Sequence, residues 1–210
     1  MTSPPRRALR GFYFITDAGL SRAGNLSDVA QALAAGVKVV QYREKRALTR
    51  AMYAEALELR QLCQAHDALF LVNDRVDVAL AVGADGVHLG QDDLPYAVAR
   101  RILGPDKIIG ITAGNLDEAI AAALQGADYL GVSPIFATAT KDDAGEPAGL
   151  ALLREIRRYT DRPLAAIGGI TLANANEVIE AGADLLCAIS AVVTQAQVRP
   201  EIEKFQRAFR

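Results

Sequence analysis

The sequence predicts an α/β chain folded as a single (β/α)8 barrel, and three observations carry that expectation. Short apolar or β-branched runs alternate with longer stretches of helical period, a repeated Gly-Ala-Asp turn precedes several runs, and polar residues gather where the runs end. Eight runs occur: residues 11–17 (GFYFITD), 37–44 (VKVVQYRE), 68–74 (ALFLVND), 86–90 (GVHLG), 107–113 (KIIGITA), 129–135 (YLGVSPI), 163–169 (PLAAIGG) and 185–193 (LLCAISAVV). Between them lie helix-like segments such as TRAMYAEALELRQLCQA and TLANANEVIEA. The repeat reads AVGADGVHLG, LQGADYLGVS and EAGADLLCAI, with LAAGVKVVQY as a looser fourth copy. Its glycines, Gly36, Gly83, Gly126 and Gly182, suit the left-handed residue that closes a helix, so each copy marks a helix-to-strand junction. The copies recur about every two βα units, as a small TIM barrel requires. An open doubly wound sheet is the alternative, but it would spread the polar strand ends over roughly 30 Å, whereas a barrel brings them round one mouth.

At 210 residues the chain fits one core. Residues 1–10 read as a flexible tail and residues 11–210 as the barrel domain. Apolar residues make up 51% and charged residues 23%, the composition of a soluble globular domain. With no Trp, a net charge of −2 and no basic block, nothing provides a footprint for nucleic acid or an anionic membrane. Residues 11–15 are too short for the apolar part of a signal peptide, and no apolar run reaches the ~18 residues of a membrane span. Cys63 and Cys187 are too few for a disulfide framework, which points to the cytoplasm. The expected partners are small molecules.

Candidate chemistry lies at the run ends. With a period of two, Gln41, Arg43 and Lys45 share one side of the second run, and a solvated strand end is the alternative. Asn73 and Asp74 end the third, and Gln91, Asp92 and Asp93 follow the fourth. Carboxylates on neighbouring strand ends suit Mg²⁺, so Asp74 and Asp93 are read as metal ligands and Asp92 as a helix cap. Residues 136–149 form a long polar connection of the kind that makes lids, with Thr138, Thr140 and Lys141 suited to phosphate. Gly168 and Gly169 end the seventh run and Ile189 and Ser190 lie in the eighth, where barrels often hold phosphate. His66, His88 and Cys187 are read as packing residues with no reaction role.

Taken together, QYREK, VNDRVDVALAVGADGVHLGQDD, GADYLGVSPIFATATKDD and AIGGI resemble thiamine phosphate synthase over residues 11–193. The resemblance implies a Mg²⁺-dependent transferase that joins 4-amino-5-hydroxymethyl-2-methylpyrimidine diphosphate to 4-methyl-5-(2-phosphoethyl)thiazole with loss of pyrophosphate. It further implies that Gln41, Tyr42, Arg43, Glu44, Lys45 and Asn73 hold the pyrimidine diphosphate, that Asp74 and Asp93 bind Mg²⁺, and that Thr112 and Lys141 contact the diphosphate. Arg43, Lys45, Thr112 and Lys141 would carry the catalysis. Thr138, Ala139, Thr140, Gly169, Ile189 and Ser190 would hold the thiazole phosphate. The sequence departs from the family pattern at Thr112 (usually Ser), Gly114 (often His) and Ala137 (commonly Pro). The alternatives are a thiazole tautomerase-like isomerase, which Gly114 argues against, and a non-catalytic precursor-binding paralogue.

Overall fold

A computed structural model describes residues 9–138 and 146–209. Eight parallel strands pair in chain order and close on themselves: β1 (Gly11–Ile15), β2 (Val39–Tyr42), β3 (Leu69–Asn73), β4 (Gly86–Leu89), β5 (Ile108–Ala113), β6 (Tyr129–Val132), β7 (Leu164–Ile167) and β8 (Leu185–Cys187). Closure comes from β8 beside β1, with Gly11 opposite Leu185 and Phe12 opposite Leu186. The helices alternate with the strands: α1 (Asn25–Ala34), α2 (Thr49–Ala65), α3 (Val76–Val82), α4 (Tyr96–Leu103), α5 (Leu116–Gln125), α6 (Gly149–Tyr159), α7 (Ala175–Glu180), α8 (Ile189–Val193) and α9 (Val198–Arg207).

The period of two sorts every strand into two cores. Tyr13, Ile15, Val39, Leu71, Ile108, Tyr129, Ala165, Leu185 and Cys187 pack inside the barrel. Their alternates, among them Phe12, Val40, Tyr42, Phe70, Val72, Ile109 and Leu130, face the helices. Both faces of each strand are therefore apolar, which is why the runs read as nearly continuous. Leu9, inside the span expected to be a tail, is buried in the inner core.

The Gly-Ala-Asp repeat has a structural meaning at each copy. Backbone N–H groups of Val37, Ala84, Ala127 and Ala183 donate to the carbonyl five residues back at 3.2, 2.9, 3.0 and 3.3 Å, the bond that closes a helix past a left-handed residue. The aspartate that follows reaches back to the previous strand: Oδ2 of Asp85, Asp128 and Asp184 accepts from the N–H of Phe70, Ile109 and Leu164 at 2.8, 2.9 and 2.9 Å. Arg100 and Arg157 pair with two of these carboxylates at 2.7 and 2.6 Å. In the loose copy Lys38 stands in the aspartate's place, and its ammonium caps the carbonyls of His66 and Asp67 at 3.0 and 3.3 Å.

One boundary differs from the sequence expectation. Residues 185–193 are a strand only as far as Cys187, and helix α8 begins at Ile189, so Ser190 is helical. A continuous apolar run does not distinguish a buried strand from a buried helical turn.

Asp128 is the clearest test of the repeat. Asp128→Ala should lower unfolding stability by about 1–3 kcal/mol in urea titrations, because the Ile109 N–H loses its acceptor and Arg100 its counter-charge. A loss smaller than about 0.5 kcal/mol, the range of an ordinary surface change, would contradict the clamp.

Candidate active site

The carboxyl ends of the strands surround a cavity of about 240 Å³. Arg43, Lys45, Asn73, Asp74, Gln91, Asp92, Asp93 and Thr112 line one arc, from β2 to β5. Gly168, Gly169, Ile189 and Ser190 line the opposite arc above β7 and β8, with Thr138 beside them. Tyr13, Gln41, His88, Gly131 and Cys187 also line it. Ala139, Thr140 and Lys141 lie outside the described residues.

Charges on the first arc are already paired. Arg43 meets Asp17, in the loop after β1, at 3.0 Å, and Lys45 meets Asp74 at 2.5 Å. Asp74 holds φ of 61°, a left-handed conformation that Asp tolerates better than most residues, and its N–H donates to the His88 carbonyl at 2.9 Å. Asp93 accepts the Gly90 N–H at 2.7 Å. Burial raises its carboxyl pKa above the usual value, and the neighbouring Asp74 carboxyl adds to that. No group of three or more His, Cys, Asp or Glu that could hold a metal occurs among the described residues. A pair of adjacent carboxylates fits Mg²⁺, which takes one or two from protein and completes its shell with water and phosphate oxygens. It does not fit a closed zinc site.

Period-two geometry explains which residues of the QYREK stretch miss the cavity. Gln41 and Arg43 point inward, and Lys45 reaches Asp74. Tyr42 points to the helix layer, where it is fully buried and donates to Glu55 at 2.7 Å. Glu44 turns back on its own chain and accepts from the N–H groups of Arg46 and Ala47. Neither Tyr42 nor Glu44 lines the cavity in this structure, and both are held by partners within the chain. Gly169 also has a local reason. At φ of 62° a Cβ there would lie 2.6 Å from the Ala137 carbonyl oxygen and 2.7 Å from Phe136, so the chain itself demands glycine.

Sequence reasoning assigned no role in the site to five participants. Asp17 holds Arg43, and Gln91 donates to the Thr112 carbonyl. Tyr13 and Tyr129 join hydroxyls at 2.8 Å inside the barrel, and His88 bridges Tyr129 to Thr112 with both contacts at 2.8 Å. Inward parity was the available signal for Tyr13, His88 and Tyr129; for Asp17 and Gln91, in loops, there was none.

Comparison with known proteins identifies the family. A family model described as thiamine monophosphate synthase matches residues 12–192. The chain belongs to that family. It is 53% identical over 194 residues to the thiamine-phosphate synthase of Methanosarcina barkeri, covering 92% of this chain and 88% of that one. It is 56% identical over 187 residues to that of Chloroflexus aurantiacus, covering 89% and 86%. A solved structure of thiamine phosphate pyrophosphorylase from Pyrococcus furiosus superposes with a TM-score of 0.90 at 44% identity, over 98% of this chain and 97% of that one. The chain is accordingly a transferase of thiamine biosynthesis that condenses a pyrimidine diphosphate with a thiazole phosphate. At Gly114, where family members often carry histidine, the backbone N–H donates to Glu118 at 2.8 Å and joins the capping of α5.

The strained Asp93 carboxyl makes a stability prediction with a definite sign. Its pKa is raised in the folded chain, so its ionised form destabilises the fold at pH above the folded value, and the penalty fades as pH falls and the carboxyl is protonated. In thermal melts without metal, Asp93→Asn should be more stable than the parent at pH 8, with the gain shrinking towards pH 4. A loss of stability of the same size at both pH values would contradict it.

Proposed function

We propose that the mouth binds 4-amino-5-hydroxymethyl-2-methylpyrimidine diphosphate on the β2–β5 arc and 4-methyl-5-(2-phosphoethyl)thiazole on the β7–β8 arc, and that Asp74 and Asp93 hold Mg²⁺ between protein and diphosphate. The observation that carries this reading is the pair of adjacent carboxyls on β3 and the β4 loop, flanked by Lys45 in the same cavity.

Charge balance supports a metal. Arg43 and Lys45 face Asp17, Asp74 and Asp93, so the described mouth has no excess of positive charge with which to bind a polyanion. Mg²⁺ held by Asp74 and Asp93 would supply that excess and the positive charge needed to offset that of a leaving pyrophosphate. Lys45, released from sole contact with Asp74, can then donate to phosphate oxygens, and Arg43 remains held in place by Asp17. A cation about 4 Å from a phosphate oxygen contributes roughly 4 kcal/mol at an effective dielectric near 20. Lys141 would add a further cation from the long connection after β6.

Departure of pyrophosphate leaves a carbocation on the pyrimidine methylene, which the aminopyrimidine stabilises and the thiazole nitrogen captures. No nucleophilic side chain is needed. Cys187 fits that reading, since burial pushes its thiol pKa up and keeps it protonated. Gln41 and Asn73 offer amides for the pyrimidine, and Thr112 a hydroxyl for the diphosphate. Thr138, Ala139, Thr140, Gly169, Ile189 and Ser190 would receive the thiazole phosphate. As a biosynthetic enzyme acting on phosphorylated small molecules, the protein would work in the cytoplasm; no helix among the described residues is long and apolar enough to cross a membrane.

With both substrates present, pyrophosphate release should require Mg²⁺. In Asp74→Asn it should fall by at least about tenfold, with unchanged circular dichroism. Equal turnover with and without chelator in the parent and the variant would refute the metal assignment.

A further inference from the structure

From the cavity floor we infer that Gln41, Tyr13, Tyr129 and His88 form a one-directional hydrogen-bond relay that makes Thr112 a donor to the leaving diphosphate. The inference rests on the proposed placement of the diphosphate beside Thr112. Its four upstream members act through their neighbours and are positioning residues.

Five side chains from five strands make a continuous line. Gln41 Nε2 on β2 lies 2.6 Å from the Tyr13 hydroxyl on β1, and that hydroxyl 2.8 Å from the Tyr129 hydroxyl on β6. The Tyr129 hydroxyl lies 2.8 Å from Nδ1 of His88 on β4, and His88 Nε2 2.8 Å from Oγ1 of Thr112 on β5. Gln41, Tyr13 and Tyr129 are at most 2% exposed. Half-buried Thr112 and His88 line the cavity wall, Tyr13 and Gln41 lie buried at its floor, and Tyr129 is wholly covered.

The first member sets the direction. An amide N–H₂ can only donate, so the Tyr13 oxygen accepts from Gln41 and its own proton goes on to Tyr129. Burial raises the pKa of both phenols, so each keeps one proton to pass along. Tyr129 then donates to Nδ1 of His88, which leaves the proton of neutral His88 on Nε2, aimed at Thr112. With its oxygen accepting from His88, the Thr112 hydroxyl proton is left to point into the cavity. The reverse order would spend that proton on His88 and turn only lone pairs towards an anion.

Sterics show that the line is built in. A Cβ at Gly110 would fall inside the Tyr129 ring, and one at Gly131 would lie 2.8 Å from Cε1 of His88. Gly110 on β5 lies beside β6, which carries Tyr129, and Gly131 on β6 leaves room for the His88 ring reaching across from β4. The His88 and Tyr129 rings stack with centroids 5.4 Å apart, and Tyr13 meets Tyr129 edge-on at 5.9 Å. Each ring is thereby held in the plane that its hydrogen bond needs.

Two measurements test the relay. The ¹⁵N shifts of His88 in the intact protein without substrate should show neutral imidazole with the proton on Nε2, and Tyr129→Phe should shift the Nδ1 resonance. In the condensation assay, Thr112→Val should lower kcat by roughly tenfold to a hundredfold and Thr112→Ser should retain it, as expected for a hydrogen bond to a charged group. Tyr129→Phe should lower kcat at least threefold or so with KM for both substrates little changed, and should add nothing in the Thr112→Val background. A proton on Nδ1 in the parent protein, or kcat losses that multiply in the double variant, would overturn the relay. Should the parent not release pyrophosphate at all, the proposed function fails, while the His88 tautomer still decides the relay; it also decides if Tyr129→Phe does not fold.

Discussion

Pairing of β8 with β1 is the constraint on which the rest of the molecule depends. It turns a sheet into a ring and brings side chains remote in sequence within hydrogen-bond reach, as where Tyr13 on β1 meets Tyr129 on β6 across the barrel interior. In an open sheet the carboxylates after β3 and β4 would lie far from the glycines after β7. The ring sets them on opposed arcs of one cavity.

Within that cavity electrostatics is balanced against stability. Asp74 adopts a left-handed backbone and Asp93 carries a carboxyl that burial and its neighbour make reluctant to ionise. Both features are unfavourable in a protein without ligand, and both place negative charge where a divalent cation can relieve it. The two cations of the same arc are held by Asp17 and Asp74, so their side chains are oriented before substrate arrives. Preorganisation of this kind lowers the reorganisation needed when charge develops on a leaving group.

Most of the fold was legible in the sequence, because alternation of runs with helical stretches and the Gly-Ala-Asp junctions are local signals. All eight strands fall inside the expected runs. The run 185–193 misled, since Ile189 and Ser190 continue an apolar stretch yet begin a helix. Site residues followed the same division. Arg43, Asp74, Asp93 and Thr112 stand at the inner ends of strands or just beyond, where parity and position announce them. Tyr42 and Glu44 came in with the motif that surrounds them, although the period of two already turned both away from Gln41 and Arg43. His88 looked like packing because its meaning lies in its partners, a tyrosine on β6 and a threonine on β5, which only the folded barrel brings to it.

The proposed two-arc mouth, with a metal held by Asp74 and Asp93, is tested most directly by paramagnetic relaxation of phosphorus. With Mn²⁺ in place of Mg²⁺ and each substrate bound separately, the ³¹P resonances of the pyrimidine diphosphate should be strongly broadened, while that of the thiazole phosphate broadens much less. Asp93→Asn should weaken the first effect. Equal broadening of both substrates, or strong broadening that persists unchanged in Asp93→Asn, would contradict the arrangement.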